Sequence, residues 1–251
     1  MISGLYTSAS GMLAESTRND VTSNNLANIN TTGYKKDVAV FRSFPDMLIQ
    51  RINDQKKTDP QPKINIGTLG TGAMVDEVIT SHEQGTFRQT SNPFDLAIDG
   101  EGYFTVQNDN GTFYTRNGAF TINGEGFLVN SQGDYVLGEE GTINIGSSVD
   151  NVIINGAGQV FVEGQQIAAL RIVPITDKAD LTKVGDSLFT GGQVGGTVGQ
   201  VKQKFLEVSN VNAVNEMVNM ITISRAYEAN QKVITAIDQS LAQAMEVGRS
   251  G

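Results

Sequence analysis

One histidine, no cysteine and a scatter of carboxylates are the conventional catalytic material of this chain. His82, in "VITSHEQGTF", would have to be the base of any serine triad. Standing alone it cannot make a histidine pair for a metal. Its neighbours read as a strand edge running into a turn, which suits a structural or solvated ring. No Gly-Lys pair occurs for a phosphate-cradling loop, and no glycines stand at the i, i+2, i+5 spacing of a dinucleotide turn. The Gly-x-Ser-x-Gly nucleophile elbow is also missing. The nearest approach to a calcium loop is "VQNDNGTFYTRN", where Gly111 follows Asn108 and Asn110. Val106 and Asn117 occupy its anchoring ends, so the stretch reads as a hairpin turn. Asp95 with Asp99, or Glu139 with Glu140, have the residue types of a glycosidase pair. Among 27 acidic residues such pairs are ordinarily solvated. Tyr34-Lys35-Lys36 and Phe41-Arg42 place aromatics beside cations, as in single-strand nucleic-acid binding. The neighbouring Asp37 and Asp46 favour an interface or connector instead. No catalytic, cofactor-binding or metal-binding residue is assigned, and an enzyme is not expected.

A net charge of −9 disfavours nucleic acid and anionic membrane surfaces, because phosphate binding needs clustered Lys and Arg. Without cysteine there are no disulfides or thiolate metal sites. The start, "MISGLYTSASGMLAES", lacks the basic end and apolar run of a secretory signal. No window reaches the ~18 apolar residues of a membrane span. The expectation is a soluble chain without membrane insertion, which would leave the cytoplasm only by a route needing no cleaved signal.

Glycine marks the organisation: 20 of the 28 lie from Gly85 to Gly199, and none lies between Gln200 and Val247. Ahead of that region, Ile2, Leu5, Ala9, Met12, Leu13, Val21, Leu26 and Ile29 recur at three- and four-residue steps. This predicts a helix over about 28 residues, roughly 42 Å long. Gly4 and Gly11 weaken it by roughly 1 kcal/mol each, and Gly33 is its left-handed stop. After it, from Asn212, Val214, Met217, Val218, Ile221, Tyr227, Val233, Ile234, Ile237, Leu241 and Met245 sustain helical periodicity to Gly248. Asn210 or Asn212 serves as its cap. Between them "GYFTVQ", "TFYT", "AFTI", "FLV" and "DYVL" alternate with Asn-Gly and Gly turns, which predicts a mostly antiparallel β domain. The fold class is therefore α+β. Boundaries fall at 1–33 and 210–248 for the helices, 34–73 for an extended connector, and 74–209 for the β domain. Two apolar stripes left in water need partners, either each other or further copies.

Three segments resemble, in order, the signature regions of bacterial flagellar axial proteins of the basal-body rod group, the FlgF/FlgG family. They are "SNNLANINTTGYKK", "FDLAIDGEGYFTV" and "SNVNAVNEMVNMITISRAYEANQKVITAIDQSL". Within that family, "VFRSFPDMLIQRI" (Val40 to Ile52) and "DLTKVGDSLF" (Asp180 to Phe189) are most similar to the proximal-rod branch, FlgF and its Gram-positive counterpart FlhO. "IGTLGTGAMVDEV" is similar to the distal-rod branch, FlgG.

The resemblance implies a structural subunit. Its terminal helices would pair as a coiled-coil-like inner domain along the axial tube, with the β domain outside. Partners would be copies of itself, other rod, hook and basal-body proteins, and the flagellar type III export apparatus. The location would be the basal body, outside the cytoplasmic membrane. The family's termini are commonly disordered in the monomer and order on assembly. Apolar faces at Leu5, Met12, Leu13, Met217, Ile221, Tyr227, Ile234, Ile237 and Leu241 would be buried between subunits, with Leu26 continuing the first stripe. Asn24, Asn25 and Asn28 would fix register by hydrogen bonds, and Gly33 and Tyr34 would turn the chain toward the β domain. A monomeric α+β domain whose helices cover its own sheet, and a β-rich adhesin or carbohydrate-binding protein, are the alternatives.

Overall fold

The computed structural model describes residues 2–51, 64–146, 152–178, 180–185 and 187–249. Ile52, much of the connector between it and Ile64, and Asp186 lie outside the described residues. The chain forms two compact units. One comprises residues 1–24, 37–79 and 214–251, the other residues 25–36 and 80–213.

In the first unit, helix α1 spans Ile2–Ala27 and helix α2 spans Ala213–Arg249. α2 begins directly after Asn212, as the cap reading expects, and at 37 residues is about 55 Å long. α1 stops six residues before Gly33, because "NINTTG" runs through successive turns (Ile29 N to Leu26 O, Thr31 N to Asn28 O) instead of continuing the helical ladder. Gly4 and Gly11 have a use that propensity hides. A Cβ on Gly4 would lie 3.3 Å from Ile237 Cδ1, and one on Gly11 would lie 2.9 Å from Asn230 Nδ2. Seven residues forward on α1 therefore match seven back on α2, so the helices lie side by side and antiparallel. Missing side chains let their backbones come close.

Residues 37–79 of this unit are strand. Asp37–Ser43 pairs with Ala73–Thr80, and Met47–Arg51 pairs with Ile64–Leu69 in antiparallel register. Val38, Val40 and Phe41, then Met47, Leu48 and Ile49, are the β-prone residues that turn a nominal connector into strands.

The second unit is antiparallel in every described pairing of its named strands. Its main sheet runs in the order 181–184, 188–191, 111–115, 103–108, 135–138, 128–130 and 120–122. Hairpins follow the Asn- and Gly-rich turns. Asn108 faces Gly111 across a two-residue turn, and Val162 faces Gln165 across Glu163-Gly164, both at positive φ.

Three turns share the pattern Asn-x-x-Gly, at Asn123, Asn130 and Asn155. In each the Asn Oδ1 accepts two backbone N–H groups, and the glycine three residues on has φ between 79° and 90°. The amide thus replaces a backbone acceptor while glycine supplies the left-handed step. Phe94, Leu96, Ile98, Phe104, Val106, Phe120, Leu128, Val136 and Val160 fill the core, each burial contributing about 2 kcal/mol. Tyr103, Val173, Ile175, Leu181 and Phe189 form a second cluster.

Gly33 has φ +67°, and a Cβ there would run into the backbone of Arg116 and Asn117. Gly133, also left-handed, has open space around it. Gly33→Ala is therefore expected to cost more than about 2 kcal/mol, the strain of a left-handed alanine plus a displaced backbone, whereas Gly133→Ala costs about 1. Thermal denaturation of the two variants should place Gly33→Ala several degrees lower. Equal melting temperatures would contradict this reading.

Candidate functional site

The chain passes between the two units at four points: after residues 24, 36, 79 and 213. On the β-unit side three of these passages are tied together by one side chain. Asn210 Oδ1 accepts the N–H of Lys36, and its Nδ2 donates to the carbonyls of Ser81 and Glu83. Ser81 N–H in turn donates to the Lys36 carbonyl.

Below this lies Glu207, only 1% exposed. Its Oε1 accepts from Lys35 Nζ at 2.6 Å and from the Gly85 N–H at 2.9 Å. Its Oε2 faces Arg116 Nη1 at 3.4 Å. The Glu207 carbonyl accepts the N–H of Gly33. One buried carboxylate therefore gathers a lysine, a backbone N–H and an arginine from three distant stretches, around residues 35, 85 and 116.

The cations are satisfied elsewhere as well. Lys35 Nζ donates to the Glu83 carbonyl at 2.7 Å, and Arg116 Nη2 to the Gly100 carbonyl at 2.8 Å. Arg116 Nε is buried without a hydrogen-bond partner among the described residues. Burial holds the Lys35 ammonium below its ordinary pKa, although Glu207 pulls it upward. Burial first, then the Lys35, Lys178, Arg116 and Lys183 charges, lower the His82 pKa to about 4, so the ring is neutral and pairs with the Tyr103 hydroxyl at 2.9 Å. The Tyr103 hydroxyl is pushed up to about 12 by burial and keeps its proton. These groups supply cohesion; none forms a nucleophile–base pair.

The residues expected at the joint are here. Gly33 is buried and left-handed, and Tyr34 is buried with the Lys183 ammonium 4.0 Å from its ring centroid. Its hydroxyl donates to Asn25 Oδ1 at 3.1 Å. Asn25, buried, thus has a partner inside its own chain, and Asn28 Oδ1 accepts from the Thr31 hydroxyl. Asn24 is exposed and Leu26 partly buried.

The helical residues separate into two groups. On α2, Ile234, Ile237 and Leu241 are partly buried and share a face with Ile223, which is buried and which the periodic reading passed over. This face looks toward α1, where a cleft of about 310 Å³ lies between Glu15 and Asn19 of α1 and Ile223 and Tyr227 of α2. Leu5 and Met12 of α1 are partly buried, while Leu13 is exposed. Met217 and Ile221 stand on the opposite side of α2 with Val214 and Val218, each more than half exposed. Together these four make an outer apolar stripe at i, i+3, i+4 and i+7.

Comparison with known proteins places similarity along the whole chain. Residues 5–35 match a family described as flagella basal body rod protein, residues 97–162 the flagellar hook protein FlgE/F/G D1 domain, and residues 202–247 the flagellar basal body rod FlgEFG protein C-terminal. Among curated relatives, the flagellar basal-body rod protein FlgG of Agrobacterium fabrum is 38% identical over 94% of this chain and 95% of its own length. FlgG of Bacillus subtilis is 33% identical over 99% of this chain and 100% of its own. The flagellar hook-basal body complex protein FlhO of Bacillus subtilis is 29% identical over 99% and 100%.

Replacing Glu207 by leucine would leave Lys35 and Arg116 as buried cations without their shared anion. The expected loss is about 3–5 kcal/mol in chemical denaturation. Adding Lys35→Met to Glu207→Leu should recover part of it, since Arg116 keeps its carbonyl partners. A Glu207→Leu variant as stable as the parent would show that the network contributes nothing.

Proposed function

The chain belongs to the flagellar basal-body rod family and is a structural subunit of the bacterial flagellar basal body; on that premise we propose that it polymerises through its terminal helices into the axial drive shaft. The observation that carries this reading is the outer stripe Val214, Met217, Val218 and Ile221, which lies opposite the face of α2 turned toward α1. Four large apolar side chains in a row on a surface call for a partner. The ribbon of Met47–Arg51 and Ile64–Leu69 supports it: Met47, Leu48, Ile49, Ile66 and Leu69 are exposed, and a two-stranded ribbon is marginal alone in water.

In this reading α1 and α2 pair as a coiled-coil-like inner domain and the β unit faces outward. Leu5, Met12, Leu13, Tyr227, Ile234, Ile237 and Leu241 are buried in the helical wall. Repetition of one contact between unlike patches yields an open helical tube, the geometry a drive shaft needs. Neighbours are further copies, other rod and hook proteins, and, during export, the type III apparatus. The role is structural and requires no cofactor.

For the branch, the greater identity to FlgG relatives, 31–38% against 29% for FlhO, supports the distal rod over the proximal placement suggested by the segments near Val40 and Asp180.

Met217→Asp with Ile221→Asp charges the exposed stripe without touching the β-unit core. The expected outcome is loss of swimming and of complete rods in electron micrographs, while the purified variant keeps the parent's β-unit melting transition. Wild-type swimming by this variant would refute assembly through α2.

A further inference from the structure

Resting on the rod reading, we propose that the outer ridge of α2 seats in a groove on a second copy of the chain, formed by the start of α1 and the base of the 47–69 ribbon. The groove encloses about 640 Å³ and is lined by Gly4, Tyr6, Met47, Leu69, Thr71 and Val233. Tyr6, Met47, Leu69 and Val233 are all exposed large apolar residues. Thr7 Oγ1 is within hydrogen-bonding distance of the Ser3 and Thr71 carbonyls, and Thr71 Oγ1 donates to the Pro45 carbonyl, so two of the lining hydroxyls are engaged within the chain and the groove offers a guest mainly apolar surface.

The ridge has the matching form. Val214, Met217, Val218 and Ile221 project as a row of aliphatic side chains, and one turn further the same row ends on Arg225. Arg225 makes no ion pair among the described residues. Nor does Asp46, whose carboxylate stands at the groove beside Gly70, 3.9 Å from where a Cβ would be. A ridge that ends in an unpaired cation thus faces a groove bordered by an unpaired anion, which fixes the direction in which the helix enters. Ridge and groove are different patches, so the contact is heterologous and does not close on itself. The ridge centre and Val233 are about 14 residues apart on α2, which offsets successive copies by roughly 20 Å along the helix where their axes run parallel.

The chain has no cysteine, so paired substitutions give a clean probe. Oxidation of basal bodies carrying Ile221→Cys together with Met47→Cys is expected to give covalent dimers and longer ladders of this chain, with neither single variant doing so. Rods that assemble from the double variant without a ladder would overturn the mating while leaving the rod reading intact. Covalent dimers from Ile221→Cys alone, meaning ridge against ridge, would overturn it too. Absence of the unaltered chain from basal bodies would sink the rod reading itself. Charge exchange tests the pairing independently of disulfide geometry. Arg225→Asp and Asp46→Arg should each reduce swimming and rod yield, and the combination should restore both. A combination as defective as the sum of its parts would contradict the contact.

Discussion

A charge in a dry interior must be met on all sides, and Glu207 imposes that demand where the chain passes between its two units. Removing a carboxylate from water costs several kcal/mol, recovered only if its oxygens are fully engaged. Lys35, Arg116 and the Gly85 N–H engage them. The stretches carrying those groups are far apart in sequence, so the carboxylate requires them to converge before any is satisfied. Asn210 adds neutral hydrogen bonds to Lys36, Ser81 and Glu83 at the same place. The outcome is a β unit whose entry and exit strands are specified by geometry as well as by apolar burial.

The helices obey a different logic. α1 presents Gly4 and Gly11 to α2, so the side chains of Ile237 and Asn230 occupy the space where Cβ atoms would stand. α2 then has one face toward α1, carrying Ile223, Ile234 and Ile237, and another, carrying Val214, Met217, Val218 and Ile221, which is more than half exposed among the described residues. A helix amphipathic on two opposite sides is built to sit between neighbours. For a subunit that adds to a growing shaft, leaving one face uncovered until a partner arrives couples folding of that surface to assembly.

Local signals carried much of this in the sequence. The hairpin at Asn108–Gly111 and the turns at Asn123 and Asn130 are set by residues two to four apart, and their Asn and Gly can be read directly. The two terminal helices follow from periodicity for the same reason. Gly4 and Gly11 looked like defects because propensity describes a lone helix, while their value lies in the helix opposite. The strands within 37–69 read locally as connector, because Pro and Gly flank short runs of β-prone residues whose pairing partners lie more than ten residues away. Periodicity groups Met217 and Ile221 with Ile234 and Ile237, but it cannot tell which of a helix's two apolar sides meets its own chain. The Glu207 network was invisible: Lys35 is 172 positions from Glu207 and Arg116 is 91, and no spacing rule links residues so separated. Gly33, Tyr34 and Lys35 stand out locally as a turn glycine, an aromatic and a cation, but nothing local points Lys35 to its anion.

The central claim is that the outer face of α2 is completed by another subunit. Hydrogen exchange compared between the purified monomer and isolated basal bodies tests it most directly, because backbone protection reports whether a helix is held. The account predicts that amides of residues 214–225 exchange readily in the monomer and become strongly protected in the rod, while strands such as 103–108 are protected in both. Equal protection of 214–225 in the two states would contradict it.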